Sequence, residues 1–271
     1  MSGYTGRLRR DSGHSTLLVP ILLGGVLIAY FGVPFVTFLL RTGHADVLAG
    51  LAEPGAQAAI RHSLLTATIA TVVATGLGVP LAYVLARRSF AGKRLLEGLV
   101  VLPLVLPPVV AGAMILTAVG RFTPLGSTLA AVGVSPTQSL FGVVLAQTFV
   151  AAPFVVVTAR AGFAAVDERL ERASRSLGYT PLETFRYVAL PLARGAVLAG
   201  VTLTFARAMG EFGATYMVAS NPRTMPTYLW VEFIKGGLDS TVPVALALLA
   251  VTLLVLGVVQ WFGRVPAVID R

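Results

Sequence analysis

Read from charge to charge, the chain falls into six apolar runs, at residues 16–40, 63–86, 98–120, 140–159, 195–221 and 240–263. A helix rising about 1.5 Å per residue needs roughly 20 residues to cross a hydrocarbon core of about 30 Å, and each run reaches that length. The pattern predicts an all-α integral membrane protein in which a six-span domain, 16–263, is flanked by tails at 1–15 and 264–271. A water-soluble chain of this length would have to bury six helices with hardly any amphipathic helix to cover them, which its surface-to-volume ratio does not permit. The first run follows Arg7, Arg9 and Arg10, as the apolar region of a signal peptide would. Its 25 residues exceed the roughly 7 to 15 of such a region, so a retained first span is expected.

Composition agrees: 56% of residues are hydrophobic and 12% charged, about half the roughly 25% charge of a soluble domain. Cysteine is absent, which removes any disulfide framework or thiolate metal site. The distribution of Lys and Arg then sets orientation. With the N-terminus inside, the inner pieces hold fifteen, from Arg7 to Arg271, and the outer pieces five: Arg41, Arg61, Arg121, Arg223 and Lys235. The positive-inside rule therefore puts both termini in the cytoplasm. The net charge of +9 reads as a topology signal; no basic cluster interleaved with aromatics suggests nucleic acid.

One stretch breaks the pattern. Between spans four and five, LERASRSLGYTPLETFRYVALP (170–191) carries Glu171, Arg172, Arg175, Glu183 and Arg186. It reads as two short helices at an angle. Asp167 caps the first, Glu168 and Glu171 favour its N-terminal turns, and the Glu168–Arg172 and Glu171–Arg175 spacings are i,i+4. Gly178 stops it where a left-handed residue is wanted. Thr180, Pro181 and Glu183 form a capping box for the second, which Pro191 is expected to disturb. Leu170, Ala173 and Leu177 make one apolar face, and Leu182, Phe185 and Ala189 another. Such a unit either rests on its own membrane domain or presents a docking surface to a cytoplasmic partner, and spacing alone does not choose.

The stretch resembles the EAA loop of ABC transporter permeases. Glu171, Arg172 and Ala173 stand for Glu-Ala-Ala, Gly178 for the glycine, and Val188, Leu190 and Pro191 for the Ile-x-Leu-Pro ending. Arg172 replaces the first alanine, and Gly178 lies one residue further along than in the commonest form. The resemblance implies that residues 167–191 seat in a cleft of an ATP-binding subunit and pass its closure to the spans.

Two further stretches bear on the substrate. LPLVLPPVVAG (102–112) puts Pro103, Pro107 and Pro108 inside span three, where the freed carbonyls must be satisfied by neighbouring helices, water or a cavity. The result is either a packed kink or a distorted wall of a translocation path. TFARAMGEFGAT (204–215) places Arg207 and Glu211 near mid-membrane. Each would cost on the order of 3 kcal/mol facing lipid, so both should face protein or water. Spaced i,i+4, they either neutralise one another or line the path, and Gly210 and Gly213 permit close approach or a local break. Both stretches, with NPRTMP (221–226), resemble permeases for tetrahedral oxyanions, and the Pro107-Pro108 pair is closer to the molybdate and tungstate branches than to sulfate. Gln147, Thr148, Thr202, Thr204, Thr215 and Arg207 could offer a dianion transient donors, with Glu211 beside them.

The chain has no GxxxxGK[ST] phosphate loop, so ATP hydrolysis by that route belongs to another polypeptide. His14, His44 and His62 fall at membrane edges without metal-ligand spacing. A secondary anion transporter would spread ionisable groups over several spans, and only span five has them. A membrane-embedded enzyme would need a nucleophile with a base or paired carboxylates, and Glu211 stands alone. The resemblance implies a homodimeric permease in a type I importer, with two ATPase subunits that bind the ATP and Mg. It also implies a binding protein on the outer loops 41–61, 121–138 and 222–239. Molybdate is the first expectation, tungstate the next, sulfate the alternative; no cofactor or metal is expected on this chain.

Overall fold

The computed structural model describes residues 13–43 and 46–263. Arg7, Arg9, Arg10, His44, Arg264 and Arg271, and the His14 side chain, lie outside what it describes. The chain divides into two compact units, Met1–Val47 and Leu48–Arg271. The first holds α1 (Gly13–Thr42), whose stretch Val19–Thr42 is long and apolar enough to cross a membrane.

The second begins with the short α2 (Val47–Ala52) and the long α3 (Pro54–Arg87). Pro54 opens α3 because a proline in the first turn forfeits no helical hydrogen bond. There follow α4 (Lys93–Val105), α5 (Pro108–Val119), α6 (Pro124–Ala131) and α7 (Leu140–Ala165). The expected third crossing is not one rod: it parts between α4 and α5, where Leu106 and Pro107 are extended, with ψ of 136° and 131°. Each of these residues precedes a proline, whose Cδ excludes the helical conformation from its neighbour. Pro103 stays inside α4, in its last turns, and Pro108 opens α5. Among the described residues five helices are long and apolar enough to cross. The pair α5 and α6, bent by 65°, supplies a sixth crossing if counted as one broken span.

The polar stretch holds α8 (Glu168–Ser176) and α9 (Pro181–Thr184). The disturbance expected at Pro191 takes the form of a widened turn and not of a stop. Phe185–Ala189 adopt a π-turn, closed by the Leu190 N–H on the Phe185 carbonyl, and lead straight into α10 (Leu190–Met209). Pro191 stands in the first turn of α10, and the wider turn before it absorbs the ring. The expected fifth span also breaks, at 210–212, before the short α11 (Gly213–Val218). Finally α12 (Met225–Gly263) is interrupted at Gly237, where φ is 74° and ψ is −160°, a conformation that glycine tolerates without strain.

The main packing layer is α3 on α7 and α7 on α10, and small residues set its spacing. Ala74, Ala82, Ala159 and Ala193 lie in one buried cluster. A Cβ on Gly200 would overlap Thr158 Oγ1 and come within 3.0 Å of the Val155 Cα. Between helices in lipid, where hydrocarbon competes equally for apolar side chains, such close backbone approach supplies the attraction. A second cluster joins α3 to α7, α10 and α12 through Ala67, Ala151, Ala208, Met225 and Val244. A third joins α5, α7 and α11 through Ala111, Ala146, Val150, Ala214 and Val218. At the far end of α3 from Arg87, Ser63 Oγ accepts the Met225 N–H at 2.7 Å, His62 Nδ1 lies 3.0 Å from the Arg223 carbonyl, and the Tyr228 hydroxyl donates to Glu53 at 3.0 Å. These contacts hold the 221–226 loop against α3.

Candidate functional site

The α8–α9 corner is built by local hydrogen bonds. Asp167 Oδ1 accepts the Arg169 N–H at 2.8 Å and starts α8. After Leu177, Gly178 takes φ +93°, and the chain reverses into the Thr180–Glu183 capping box. There the Thr180 N–H reaches Glu183 Oε2 at 2.7 Å and the Glu183 N–H reaches Thr180 Oγ1 at 3.3 Å. A buried Ser174–Thr184 hydroxyl contact of 2.7 Å closes the angle.

The faces of α8 are reversed from those of a helix resting on its own core. Its inward residues are Glu171, only 3% exposed, and Ser174, while Ala173 lies outside and Leu170 and Leu177 are 49% and 79% exposed. On the second arm Leu182 is 73% exposed. Ala189 is buried, and Phe185 packs on Tyr83 and Phe163 at ring separations of 4.9 and 5.9 Å. Of the motif's ending, Val188 and Leu190 are half-buried and Pro191 is exposed. The expected Glu171–Arg175 side-chain pair does not form. Arg175 Nε donates to the Glu171 carbonyl at 3.2 Å, and the Glu171 carboxylate turns to α3. Glu168 and Arg172 do pair, at 3.4 Å.

The second candidate region surrounds the break after α10. Contacts of Gly162 with Ala193 and Ala196, and of Gly200 with Val155 and Thr158, show α7 and α10 antiparallel. That register, carried on, sets Gln147 level with Ala208 to Glu211. The approach of Gly142 to Val218 brings Thr215 within a turn of the same level. Gln147, Thr204, Glu211 and Thr215 are all buried. Neither end of the Gln147 amide, nor the hydroxyls of Thr148, Thr204 and Thr215, has a hydrogen-bond partner in the protein, the condition that ordered water or a polar solute relieves. Arg207 Nη1 meets Glu211 Oε2 at 2.6 Å, with 27% of the arginine side chain exposed against 1% of the glutamate. Glu211 Oε1 accepts the Ala214 N–H at 2.7 Å. So Arg207 sits on α10 and its partner in the broken segment beyond.

Two expected members lie apart. Thr202 donates to its own helix at Leu198 and lines an apolar pocket with Thr68, Thr71 and Phe205. Thr148 opens on a pocket of about 260 Å³ with Pro103, Leu77 and Val156. Pro108 instead packs near Gly213, so the double proline places α5 beside the break between α10 and α11.

Residues 78–265 match the family model of the binding-protein-dependent transport system inner membrane component. The chain belongs to that family. It is 46% identical over 264 residues to a probable molybdenum ABC transporter permease protein of Haloferax volcanii, covering 95% of this chain and 97% of that one. A molybdate/tungstate transport system permease protein of Thermococcus kodakarensis is 38% identical, with 95% and 99% covered. A molybdenum transport system permease protein of Mycobacterium tuberculosis is 37% identical, with 92% and 93% covered. In fold, this permease matches a chain of a bacterial alginate ABC transporter with a TM-score of 0.70 at 15% identity, covering 95% and 96% of the two chains. It also matches a chain of a methionine ABC transporter with a TM-score of 0.59 at 19% identity, covering 79% and 95%. It is a multi-pass membrane protein with the fold of ABC importer permeases, a transport component rather than an enzyme.

Sequence reasoning missed two residues of α3 that hold the permease's α8–α9 corner, Arg87 and Tyr83. Arg87, at the end of α3, donates from Nε to Glu171 Oε1 at 2.7 Å and from Nη2 to the Val166 carbonyl at 2.9 Å, while the Tyr83 hydroxyl takes Glu171 Oε2 at 2.7 Å. The only sequence signal of Arg87 was a basic residue in a last helical turn, which orientation alone explained.

Proposed function

We propose that this permease imports a tetrahedral oxyanion, molybdate first and tungstate next, as the membrane subunit of an ATP-driven complex. The names carried by its relatives support the ion. The reversed amphipathicity of α8 carries the coupling role: a helix that buries Glu171 and exposes Leu170 and Leu177 beside Leu182 has its apolar surface ready for another protein. Glu171, Ala173, Gly178, Val188, Leu190 and Pro191 form this loop, and it seats in a separate ATPase subunit that binds the ATP and Mg. Two copies of the permease and two ATPase subunits complete the assembly, with both termini cytoplasmic. A binding protein delivers the ion to the outer loops 41–61, 121–138 and 222–239.

Within the spans, Arg207 is the member of the polar set that faces the path, and Glu211 holds it from behind. A guanidinium paired with a carboxylate at 2.6 Å keeps N–H donors for a dianion while the pair carries no net charge, so it binds without trapping, which conduction requires. Gln147, Thr204 and Thr215 supply amide and hydroxyl groups when the break at 210–212 moves. Thr148, Thr202 and the proline break at Pro103, Pro107 and Pro108 shape the wall.

The test is the ATPase activity of the reconstituted complex with binding protein loaded with molybdate, tungstate or sulfate. Stimulation by the first two and not by sulfate is expected. Equal stimulation by sulfate overturns the ion assignment, and uptake by the permease alone overturns the ATP-driven reading in favour of a secondary transporter.

A further inference from the structure

We infer that Arg87 is a positioning residue for transport, the strut through which movement of α8 is delivered to α3. The inference rests on the coupling role proposed for the α8–α9 corner. Along the backbone, α8 is joined to α7 only through Val166 and Asp167, both extended, with ψ of 129° and 120°. Two extended residues interrupt the helical hydrogen bonding there, so α7 and α8 are not one rigid rod. The closest packing of α8 is with α9 and the π-turn, elements of the same corner. α3, by contrast, packs along α7 and also against α10 and α12, so a push on α3 reaches the body of the bundle.

Arg87 bridges this gap. Nε and Nη2 both lie 2.7 Å from Glu171 Oε1, inside α8, and Nη2 also donates at 2.9 Å to the carbonyl of Val166, in the joint itself. One planar guanidinium on α3 thus holds both α8 and the link that leads into it. Tyr83, one turn earlier on α3, fixes the remaining Glu171 oxygen at 2.7 Å. The Arg87 and Glu171 side chains are 9% and 4% exposed, so the pair is largely withdrawn from bulk water. The planar fork of arginine makes all three at once; a lysine ammonium, a point charge on a flexible stem, does not reproduce that geometry. Tyr83, Arg87 and Glu171 themselves line a small polar cavity of about 130 Å³, together with Arg88, Glu168 and Arg175, which leaves the corner room to move relative to α3.

The test uses the full complex of permease, ATPase and binding protein in proteoliposomes, with oxyanion uptake per ATP hydrolysed as the readout. R87A is expected to keep the ATPase bound and to lower that ratio at least fivefold. R87K keeps the charge and folds even if R87A does not, and is expected to lower it two- to threefold. As a control, R160A removes the 2.9 Å Arg160–Glu97 pair between α7 and α4 and should lower the melting temperature with the ratio unchanged. A wild-type ratio in R87K, or the same loss in R160A, overturns the strut. L177E separates this from the docking reading: it should release the ATPase from the membrane, and retention of the ATPase by L177E refutes the docking surface itself.

Discussion

Replacing Arg207 by Met should destabilise the permease more than replacing Glu211 by Gln, and the double variant should recover stability without recovering transport. The asymmetry follows from burial: the glutamate side chain is 1% exposed and the arginine 27%, with 2.6 Å between them. Arg207→Met leaves a buried carboxylate whose remaining hydrogen bond comes from the Ala214 N–H. Removing one member of a buried pair costs about 3–5 kcal/mol. Glu211→Gln keeps an acceptor for Ala214 and leaves a cation with access to water. Its cost should fall near the low end of the roughly 1.5–3 kcal/mol of a charge-assisted hydrogen bond.

In the double variant neither charge is stranded, so it should lie within about 2 kcal/mol of wild type, with a coupling near 3 kcal/mol, at the top of the range for contacting residues. The assay is thermal unfolding of the purified complex in one detergent at a fixed scan rate, since membrane assemblies often unfold irreversibly. At roughly 2–4 °C per kcal/mol for a chain of this size, Arg207→Met should lower the midpoint by about 6–20 °C. Uptake by the double variant should stay at least tenfold down. Additive losses of midpoint would refute the coupled pair; full uptake in the double variant would make the pair purely structural.

Three further outcomes follow. Gly200→Ala should cost about 1–3 kcal/mol through overpacking against Thr158 and Val155, while Gly195→Ala, exposed with nothing near its Cβ, should stabilise by about 0.4–1 kcal/mol; equal effects in the same unfolding assay would refute the close α7–α10 approach. Gly178→Ala should cost about 1–2 kcal/mol from backbone strain at φ +93° alone. No atom lies within 4 Å of the new Cβ in this chain, so a larger loss of ATPase binding than of stability in pull-down would report contact with the partner. Thr180→Ala should remove the hydroxyl arm of the capping box and the hydroxyl's own bond to Glu183, leave the Thr180 N–H arm in place, and cost about 0.5–2 kcal/mol, measured as faster proteolysis at the α8–α9 corner.

The apolar runs, the Asp167 cap, the Gly178 stop and the Thr180–Glu183 box were legible from the chain because each rests on interactions closed within a few residues. A helix in lipid satisfies its own backbone, so length and polarity suffice to find it. The double proline was read as a kink and is a full break, since two successive prolines exclude helical geometry from both Leu106 and Pro107. Pro191 announced a disturbance but not its form: the π-turn that absorbs the ring falls on Phe185–Ala189, ahead of the proline itself.

What the sequence by itself determined is therefore where helices form, how the α8–α9 corner turns and which groups are too polar for lipid. Only the tertiary structure decided which way those groups face. Leu177 and Glu171 could each have pointed inward; Arg87, 84 positions from Glu171, settled it by offering a buried carboxylate its counter-charge. The same holds for Gln147, level with Glu211 only through the packing of α7 on α10. The physical reason is the solvent: hydrocarbon accepts an apolar side chain as readily as a protein interior does, so hydrophobicity does not separate inside from outside. Close packing and partners distant in sequence make that choice.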